Sequence, residues 1–555
     1  MNIGSPTFLA FLLGALLAFH GLPRLPSRWR MAAINAVFVA SFFQTPLAFV
    51  PVASFAVIGW LLLHVMVRAR SEAALPLAIL GLLGWFVVLK RYSLLPDALL
   101  LDFPYAAVGL SYLLFRVLHL LIDVRQEALE RVPDPVDYLN YLFCFLTFVA
   151  GPIQRYEDHR DRVARSTEQL GPGQIQAALA RMLDGFVKVV ATAVVASDIA
   201  ANLPLAIGPD KDFGLSIFHG MGGPIAWVFS NSNGDTLVRL SARLLLHGAA
   251  FLAYLYVNFS GYMDIVLGAA RLFGFSLPEN FDRPMRSRSL LEFWTRWHIT
   301  LSDWFKTYLF QPLLMALAQH VGRGKASAYL AVPAFMVTFM VMGVWHGTTE
   351  EFRWYGLILG LGVAANKLFQ LLLQGRLGKK GYARLAAHPL YAALARGVTL
   401  AFFTLMLCCL WLDARQMEAL IRLYGGSGLA RLMLVASLAA AFALWSWDAA
   451  VRALARWPEP LASAAEYLGL LWLALVWGNL LGITSAIERL VGFGLHDAMK
   501  AGLGGLLLLA AWSLRDWAAE RPKPGTAVLS VKLLLLVLAA LSHAGAVPDF
   551  VYKGF

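Results

Sequence analysis

The sequence predicts an all-α, polytopic membrane protein, and two observations carry that prediction. The first is composition. Of 555 residues, 59% are hydrophobic and only 14% are charged, and the mean hydropathy is +0.65. Soluble domains carry roughly 25% charged residues, and a chain this poor in charge has too little polar surface to stay in water. The second is the placement of the charge that remains. The net charge of +12 would suggest nucleic acid if it were spread over a soluble surface. Here the positives are grouped between apolar runs, at Arg24, Arg28 and Arg30, at Arg68 and Arg70, and at Arg376, Lys379, Lys380 and Arg384. That grouping is what positive-inside topology produces, so a nucleic-acid partner is excluded.

The runs follow in order near 6–22, 31–48, 51–67, 74–89, 105–122, 137–153, 178–200, 240–272, 327–345, 354–373, 391–412, 430–446, 465–483, 502–514 and 527–544. Ser327 to Trp345 contains no charged residue and as a helix would be about 29 Å long, close to the hydrocarbon thickness of a bilayer. Some runs are short or broken by Pro and Gly. Roughly twelve membrane helices are therefore expected, with the remainder re-entrant or interfacial. The N-terminal MNIGSPTFLAFLLGALLAF lacks a basic leader, so it reads as a first membrane helix rather than a removed signal peptide. No acidic residue occurs from Phe352 to Leu412, so 374–388 is expected to be a cytoplasmic loop.

Three regions are expected. Residues 1–104 are N-terminal membrane helices, 105–375 are a functional core, and 376–555 are C-terminal membrane helices with an aromatic tail. The middle differs in carrying a set of polar residues inside or beside apolar runs: Arg116, His119, Asp123, Gln154, Asn258, Asp264, His298 and His346. An ionisable group at bilayer depth costs about 2.5–3.5 kcal/mol on insertion scales and tends to mark a pathway or site. The three cysteines, Cys144, Cys408 and Cys409, all lie in apolar runs and suggest neither disulfides nor a metal site.

The stretch FWTRWHITLSDWF, residues 293–305, concentrates aromatics around a histidine. Drawn as one helix over 289–308, Trp294, Trp297, Leu301, Trp304 and Tyr308 share a face. Arg296, Thr300, Asp303 and Thr307 share the opposite one. Ser289 and Glu292 have the spacing of a capping box. His298 falls at the edge of the aromatic stripe, where it is either a hydrogen-bonded core residue or a functional one. A second histidine, His346, ends the charge-free run in GVWHG, flanked by Gly343 and Gly347. Histidine there titrates near neutral pH and can act as a general base, or it can simply sit at a helix end at the membrane interface.

Taken together, the run GYMDIVLGAARLFGFSLPENFDRPMRSRSLLEFWTRWHITLSDWFKTYLFQPL (261–313), GVWHG (343–347), GLSYLLFRVLHLLID (109–123) and FLTFVAGPIQRYED (145–158) resembles the membrane-bound O-acyltransferases. It is most similar to the bacterial branch that contains alginate O-acetyltransferase and the D-alanyl transfer protein of teichoic acids. The resemblance covers about residues 100–375. It implies that His346 is catalytic, that His298 is a second polar active-site residue, and that a ring of tilted helices surrounds a tunnel. Asn280, Trp294, Arg296, Trp297, Asp303 and Trp345 are the expected supporting residues. One departure stands out: relatives often carry a further Trp-Gly-x-x-His-Gly, and here YGLILG places Leu359 where that histidine would fall. The chain ends DFVYKGF, and some relatives share this Phe-x-Tyr-x-x-Phe pattern, with a tyrosine thought to hold the acyl group; Tyr552 is that residue here.

The expected activity is transfer of an acetyl or D-alanyl group. The donor would be a cytoplasmic acyl-CoA or acyl-carrier-protein thioester, used as substrate with no bound cofactor or metal. The acceptor would be the hydroxyl of an extracytoplasmic glycan or glycolipid, reached with or without a periplasmic acyltransferase partner. The location would be a bacterial inner membrane. In this reading His346 takes the hydroxyl proton, and His298 positions or polarises the carbonyl. Two rivals fit the composition as well. A transporter or flippase of a glycolipid or acyl intermediate would also use buried charge and broken helices. A docking scaffold would leave both histidines dispensable.

Overall fold

The computed structural model describes residues 6–103, 105, 107–129, 131–165, 170–202, 236–321 and 325–454. The C-terminal runs expected at 465–483, 502–514 and 527–544 lie outside the described residues, and so does the tail with Tyr552.

Among the described residues the regular elements are helices, with one isolated bridge between Phe281 and Trp297. The first half holds α1 (Pro6–Gly21), α2 (Ser27–Ala40), α3 (Pro46–Arg68), α4 (Ala74–Leu89), α5 (Leu110–Arg125), α6 (Pro135–Leu142), α7 (Tyr156–Arg165) and α8 (Pro172–Asn202). Then follow α9 (Thr236–Leu272), the short α10 (Leu290–Trp294) and α11 (Ile299–Phe305), and α12 (Gln311–Val321). The second half ends with α13 (Ala331–His346), α14 (Glu350–Ala387), α15 (Pro389–Met406) and α16 (Ala414–Leu454). Among the described residues, six helices are long and apolar enough to cross a membrane: Pro46–Arg68, His247–Leu272, Ser327–His346, Glu350–Ala387, Pro389–Leu410 and Ala414–Ala449. Their outward faces are apolar, with Val57 56% and Phe442 70% exposed, which suits lipid and not water. The protein is a multi-pass membrane protein.

Two expected elements are formed differently. The run 137–153 is not a span. α6 stops at Leu142, and the chain continues through the protein interior without regular structure until α7. Irregular backbone is tolerated there only if its polar groups find partners. Arg116 of α5, 2% exposed, supplies them. Its guanidinium donates to the Leu142 carbonyl, to the Thr147 carbonyl at 2.5 Å and to Thr147 Oγ1 at 2.7 Å. Asn35 Oδ1 accepts from Phe145 N at 2.9 Å, and Thr300 Oγ1 accepts from Ile153 N at 3.1 Å. The basic segment 374–388 is likewise no loop. α14 runs through it with one break at Gly378 (φ 70°), and Arg376, Lys379, Lys380 and Arg384 project to the surface.

α13 and α14 form a hairpin joined by residues 347–349, and this hairpin sets the depth of His346. The two helices approach so closely that a Cβ on Gly343 would overlap the Gly356 backbone, and one on Gly356 would lie 2.6 Å from the Met340 carbonyl oxygen. Gly343→Ala must therefore push the helices apart, and overpacking of this kind typically costs about 1–3 kcal/mol. The expected result is a lower melting temperature in detergent and a displaced His346. A variant that melts with the parent chain would contradict the crossing.

Candidate active site

After α9, Pro278 and Pro284 keep residues 273–289 out of regular helix, apart from a single turn at Pro284–Arg286. This segment pairs antiparallel with the chain before α11. Phe281 and Trp297 form a bridge, Asp282 N donates to the Arg296 carbonyl at 2.9 Å, and Ile299 N donates to the Asn280 carbonyl at 3.0 Å. The pairing breaks the helix expected over 289–308. Ser289 caps α10 as its spacing with Glu292 implies, accepting from Glu292 N at 3.1 Å, but α10 ends after Trp294. His298 then adopts the left-handed region (φ 46°, ψ 52°) before α11 begins. For a non-glycine residue this conformation costs of order 1–3 kcal/mol and persists only where surrounding bonds enforce it.

Asn280, fully buried, does the enforcing. Its Oδ1 accepts from Thr300 N at 3.1 Å and Thr300 Oγ1 at 2.9 Å, and it lies 3.3 Å from His298 Nδ1. A backbone N–H can only donate, so the carboxamide atom facing Thr300 is the oxygen. An amide oxygen can only accept, so the ring nitrogen facing it carries the proton. His298 is therefore the Nδ1–H tautomer with its lone pair on Nε2. The ring is 1% exposed and packs edge-on against Phe259 at 4.9 Å. Burial holds its pKa well below the ordinary histidine value, and a charge on His346 would push in the same direction. A neutral His298 of this tautomer accepts at Nε2; it does not donate there, as a group polarising a carbonyl would have to.

His346 ends α13 and is 6% exposed. Trp345 (4.8 Å) and Tyr355 of α14 (5.6 Å, near-perpendicular) wall its ring. Gly347 continues in extended conformation, and the position has no room for a side chain because a Cβ there would enter the Phe352 ring. Trp345 in turn contacts Phe115 (4.6 Å) and Tyr112 (6.0 Å), so the α5 segment forms the other wall. The fold thus brings His298 and His346 within electrostatic reach of one another, inside an aromatic enclosure.

The remaining expected site residues divide. Trp297 and Trp294 are buried, packing on Phe403 at 5.6 and 6.0 Å, and brace the segment that holds His298. Arg296 is held in ion pairs with Glu292 (3.1 Å) and Asp282 (3.2 Å), and Asp303 is exposed; neither is brought to the histidines. Leu359, at the position of the missing third histidine, is fully buried in α14. Thr300, which shares the Asn280 oxygen with His298, and Phe259, which packs on the His298 ring, were not revealed by sequence alone, because Asn280 and Phe259 lie on segments apart from His298 and Thr300.

Comparison with known proteins agrees with this architecture. Residues 229–410, which contain both histidines, match the model of MBOAT, the membrane-bound O-acyltransferase family. The chain is 28% identical to the probable alginate O-acetylase AlgI of Azotobacter vinelandii over 48% of this chain and 45% of that one. It is 30% identical to the teichoic acid D-alanyltransferase of Streptococcus thermophilus over 47% and 56%. With the peptidoglycan O-acetyltransferase of Helicobacter pylori the identity is 33%, over 21% and 20%. The chain spans about half the length of the alginate and teichoic acid relatives.

The tautomer is open to direct measurement. In protein labelled with ¹⁵N-histidine, the resonances lost in His298→Gln identify His298, and they are expected at Nδ1–H shifts. Asn280→Ala removes the shared acceptor and should collapse that assignment. With net values of about 0.5–1.5 kcal/mol for each hydrogen bond, it should also lower the melting temperature by several degrees. An Nε2–H signature in the parent chain would refute the geometry.

Proposed function

We propose that this chain, through its membrane-bound O-acyltransferase domain, is a bacterial inner-membrane enzyme. It would move an acetyl or D-alanyl group from a cytoplasmic thioester to a glycan or glycolipid hydroxyl outside the cytoplasm. The observation that carries the reading is the meeting of His298 and His346. Each is buried beside tryptophan, they lie within reach of each other's charge, and both fall inside the matched domain. The donor is an acyl-CoA or an acyl-carrier protein, and the matching helices form a ring around a tunnel that lets donor and acceptor meet from opposite sides.

In this mechanism His346 removes the proton of an attacking hydroxyl while its oxygen bonds to the thioester carbonyl carbon. The carbon–sulfur bond then breaks, its electron pair leaves on sulfur, and the proton on His346 passes to the thiolate. His298, with a lone pair on Nε2, is a second proton acceptor. Two acceptors suit a transfer in two steps, the first hydroxyl being the phenol of Tyr552 and the second that of the glycan. A phenol of pKa near 10 is easier to deprotonate than a sugar hydroxyl, and its ester is a better acyl donor, so the relay divides one difficult step into two. The phenylalanines Phe550 and Phe555 seat the tail.

Three substitutions separate these roles. His346→Ala should abolish acyl transfer in a protein that still inserts and folds; transfer at the parent rate would remove His346 from the chemistry. His298→Ala should lower transfer to the final acceptor by roughly 10²-fold, the usual contribution of a positioned base. Tyr552→Phe keeps the ring and removes the nucleophile. It should leave stability unchanged and stop the second transfer, and full activity in this variant would return the tail to the role of a membrane-interface anchor. Mass spectrometry of the parent chain, supplied with donor and deprived of acceptor, should find the acyl group on the C-terminal peptide.

A further inference from the structure

α4 ends in a turn that is bonded at every step. Lys90 N donates to Phe86 O at 2.9 Å, Arg91 N to Val88 O at 3.1 Å and Tyr92 N to Val87 O at 3.3 Å. This is the double closure of a Schellman cap, with Arg91 in the left-handed position at φ 54°. The Arg91 side chain is spent on the segment before α5, donating to the Leu101 and Phe103 carbonyls at 2.7 and 3.1 Å. The next two residues fasten the turn to the end of α13. Tyr92 Oη donates to the Val344 carbonyl at 2.9 Å, and Ser93 Oγ and N donate to the Thr348 carbonyl at 2.9 and 3.3 Å. These anchors lie two residues before and two residues after His346. They bring Lys90, the residue that caps α4, to the catalytic end of α13, close enough for its charge to be felt at the His346 ring.

Lys90 lies outside the matched domain and outside every motif that drew attention in the sequence. Its surroundings are poor in water: burial lowers its pKa to about 8, which still leaves it mostly protonated at neutral pH. An ammonium held in such a place acts on developing charge far more strongly than one in water, because the dielectric is low and no solvent must reorganise.

We infer that Lys90 is the positively charged member of the active site, stabilising the negative charge that develops when a hydroxyl oxygen attacks the donor thioester beside His346. The inference rests on the acyltransferase reading above. In that step the hydroxyl proton goes to His346, a carbon–oxygen bond forms, and the carbonyl π pair moves onto its oxygen as an oxyanion. The oxyanion collapses, the carbon–sulfur bond breaks, and the pair leaves on sulfur until the proton on His346 neutralises the thiolate. Both anions form where the Lys90 turn is fastened. His346 becomes cationic only transiently, whereas Lys90 offers a fixed charge throughout. The role is one of charge, which arginine can replace and a neutral side chain of the same length cannot.

The test uses the full chain in nanodiscs, with acetyl-CoA and a D-alanylated carrier protein as probes, assayed with whichever of the two the parent chain turns over. Lys90→Met and Lys90→Gln should each lower kcat by roughly 10²-fold, the usual loss on removing one stabiliser of an oxyanion, with the donor KM nearly unchanged. Lys90→Arg should recover most of that loss. Melting temperatures are measured alongside; if Lys90→Met fails to fold, the polar Lys90→Gln and the charged Lys90→Arg still decide the matter. Three outcomes overturn the inference: Lys90→Gln within threefold of the parent, an equal loss in Lys90→Arg and Lys90→Gln, or a loss confined to donor KM, which would assign Lys90 to the phosphates of the donor. A parent chain that turns over neither thioester overturns the acyltransferase reading, and this inference with it. Activity in the parent with indifference at Lys90 overturns this inference alone.

Discussion

One carboxamide oxygen organises the segment that holds His298. Asn280 Oδ1 meets three groups at once, Thr300 N, Thr300 Oγ1 and His298 Nδ1, and none of these is near it in sequence. The consequences run outward. The segment before α11 must pair with residues 280–282 instead of coiling, so His298 takes a left-handed backbone and its imidazole turns into the protein. The same contact fixes which ring nitrogen carries the proton. Thr300 extends the arrangement, because its hydroxyl also accepts from Ile153 N and so ties the α6–α7 connection to the site. Geometry, protonation and the neighbouring wall all depend on a single, fully buried acceptor.

That economy follows from the surroundings. In a membrane interior each unsatisfied peptide group costs several kcal/mol, so broken helices survive only where side chains replace the lost bonds. The protein meets this demand with a few long polar residues used several times over. Arg116 serves two carbonyls and a hydroxyl along the irregular chain after α6, and Asn35 takes Phe145 N while its own amide donates to Asn140 at 3.1 Å. On the other side of the core, Asp264 of α9 pairs with both Arg181 (2.9 Å) and Lys188 (2.6 Å) of α8. Arg181 also reaches Glu279 at 2.6 Å, immediately before Asn280. The buried polar residues of the middle region are thus for the most part structural. His298 and His346, each against aromatic rings, are the two to which we assign proton transfer.

The position of His346 has a different origin. α13 carries almost no polar side chain, and its depth is set by close approach to α14 at Gly343 and Gly356 and by the turn after α4 that binds on either side of it. The first region of the chain, which composition alone would describe as ordinary membrane helices, therefore contributes directly to the site.

How much of this the sequence determined can be traced residue by residue. Helical class and membrane residence followed from composition and from charge-free runs such as 327–345, because lipid permits no other arrangement of backbone polar groups. The histidines were found because an ionisable residue amid apolar ones is costly enough to need a reason. Local chemistry was legible too: Ser289 and Glu292 cap α10 as their spacing implies. Periodicity failed at 295–298, where a helical pattern of aromatics is overruled by pairing with residues 280–282, and at 143–155, where an apolar run is not a helix because Arg116 satisfies its carbonyls. The tautomer of His298, the surface positions of Arg296 and Asp303, and the approach of Lys90 were decided by tertiary structure alone. A sequence pattern reports only the preferences of neighbours along the chain. These features depend on hydrogen bonds and charges between residues far apart in it, and such bonds exist only once the chain has folded.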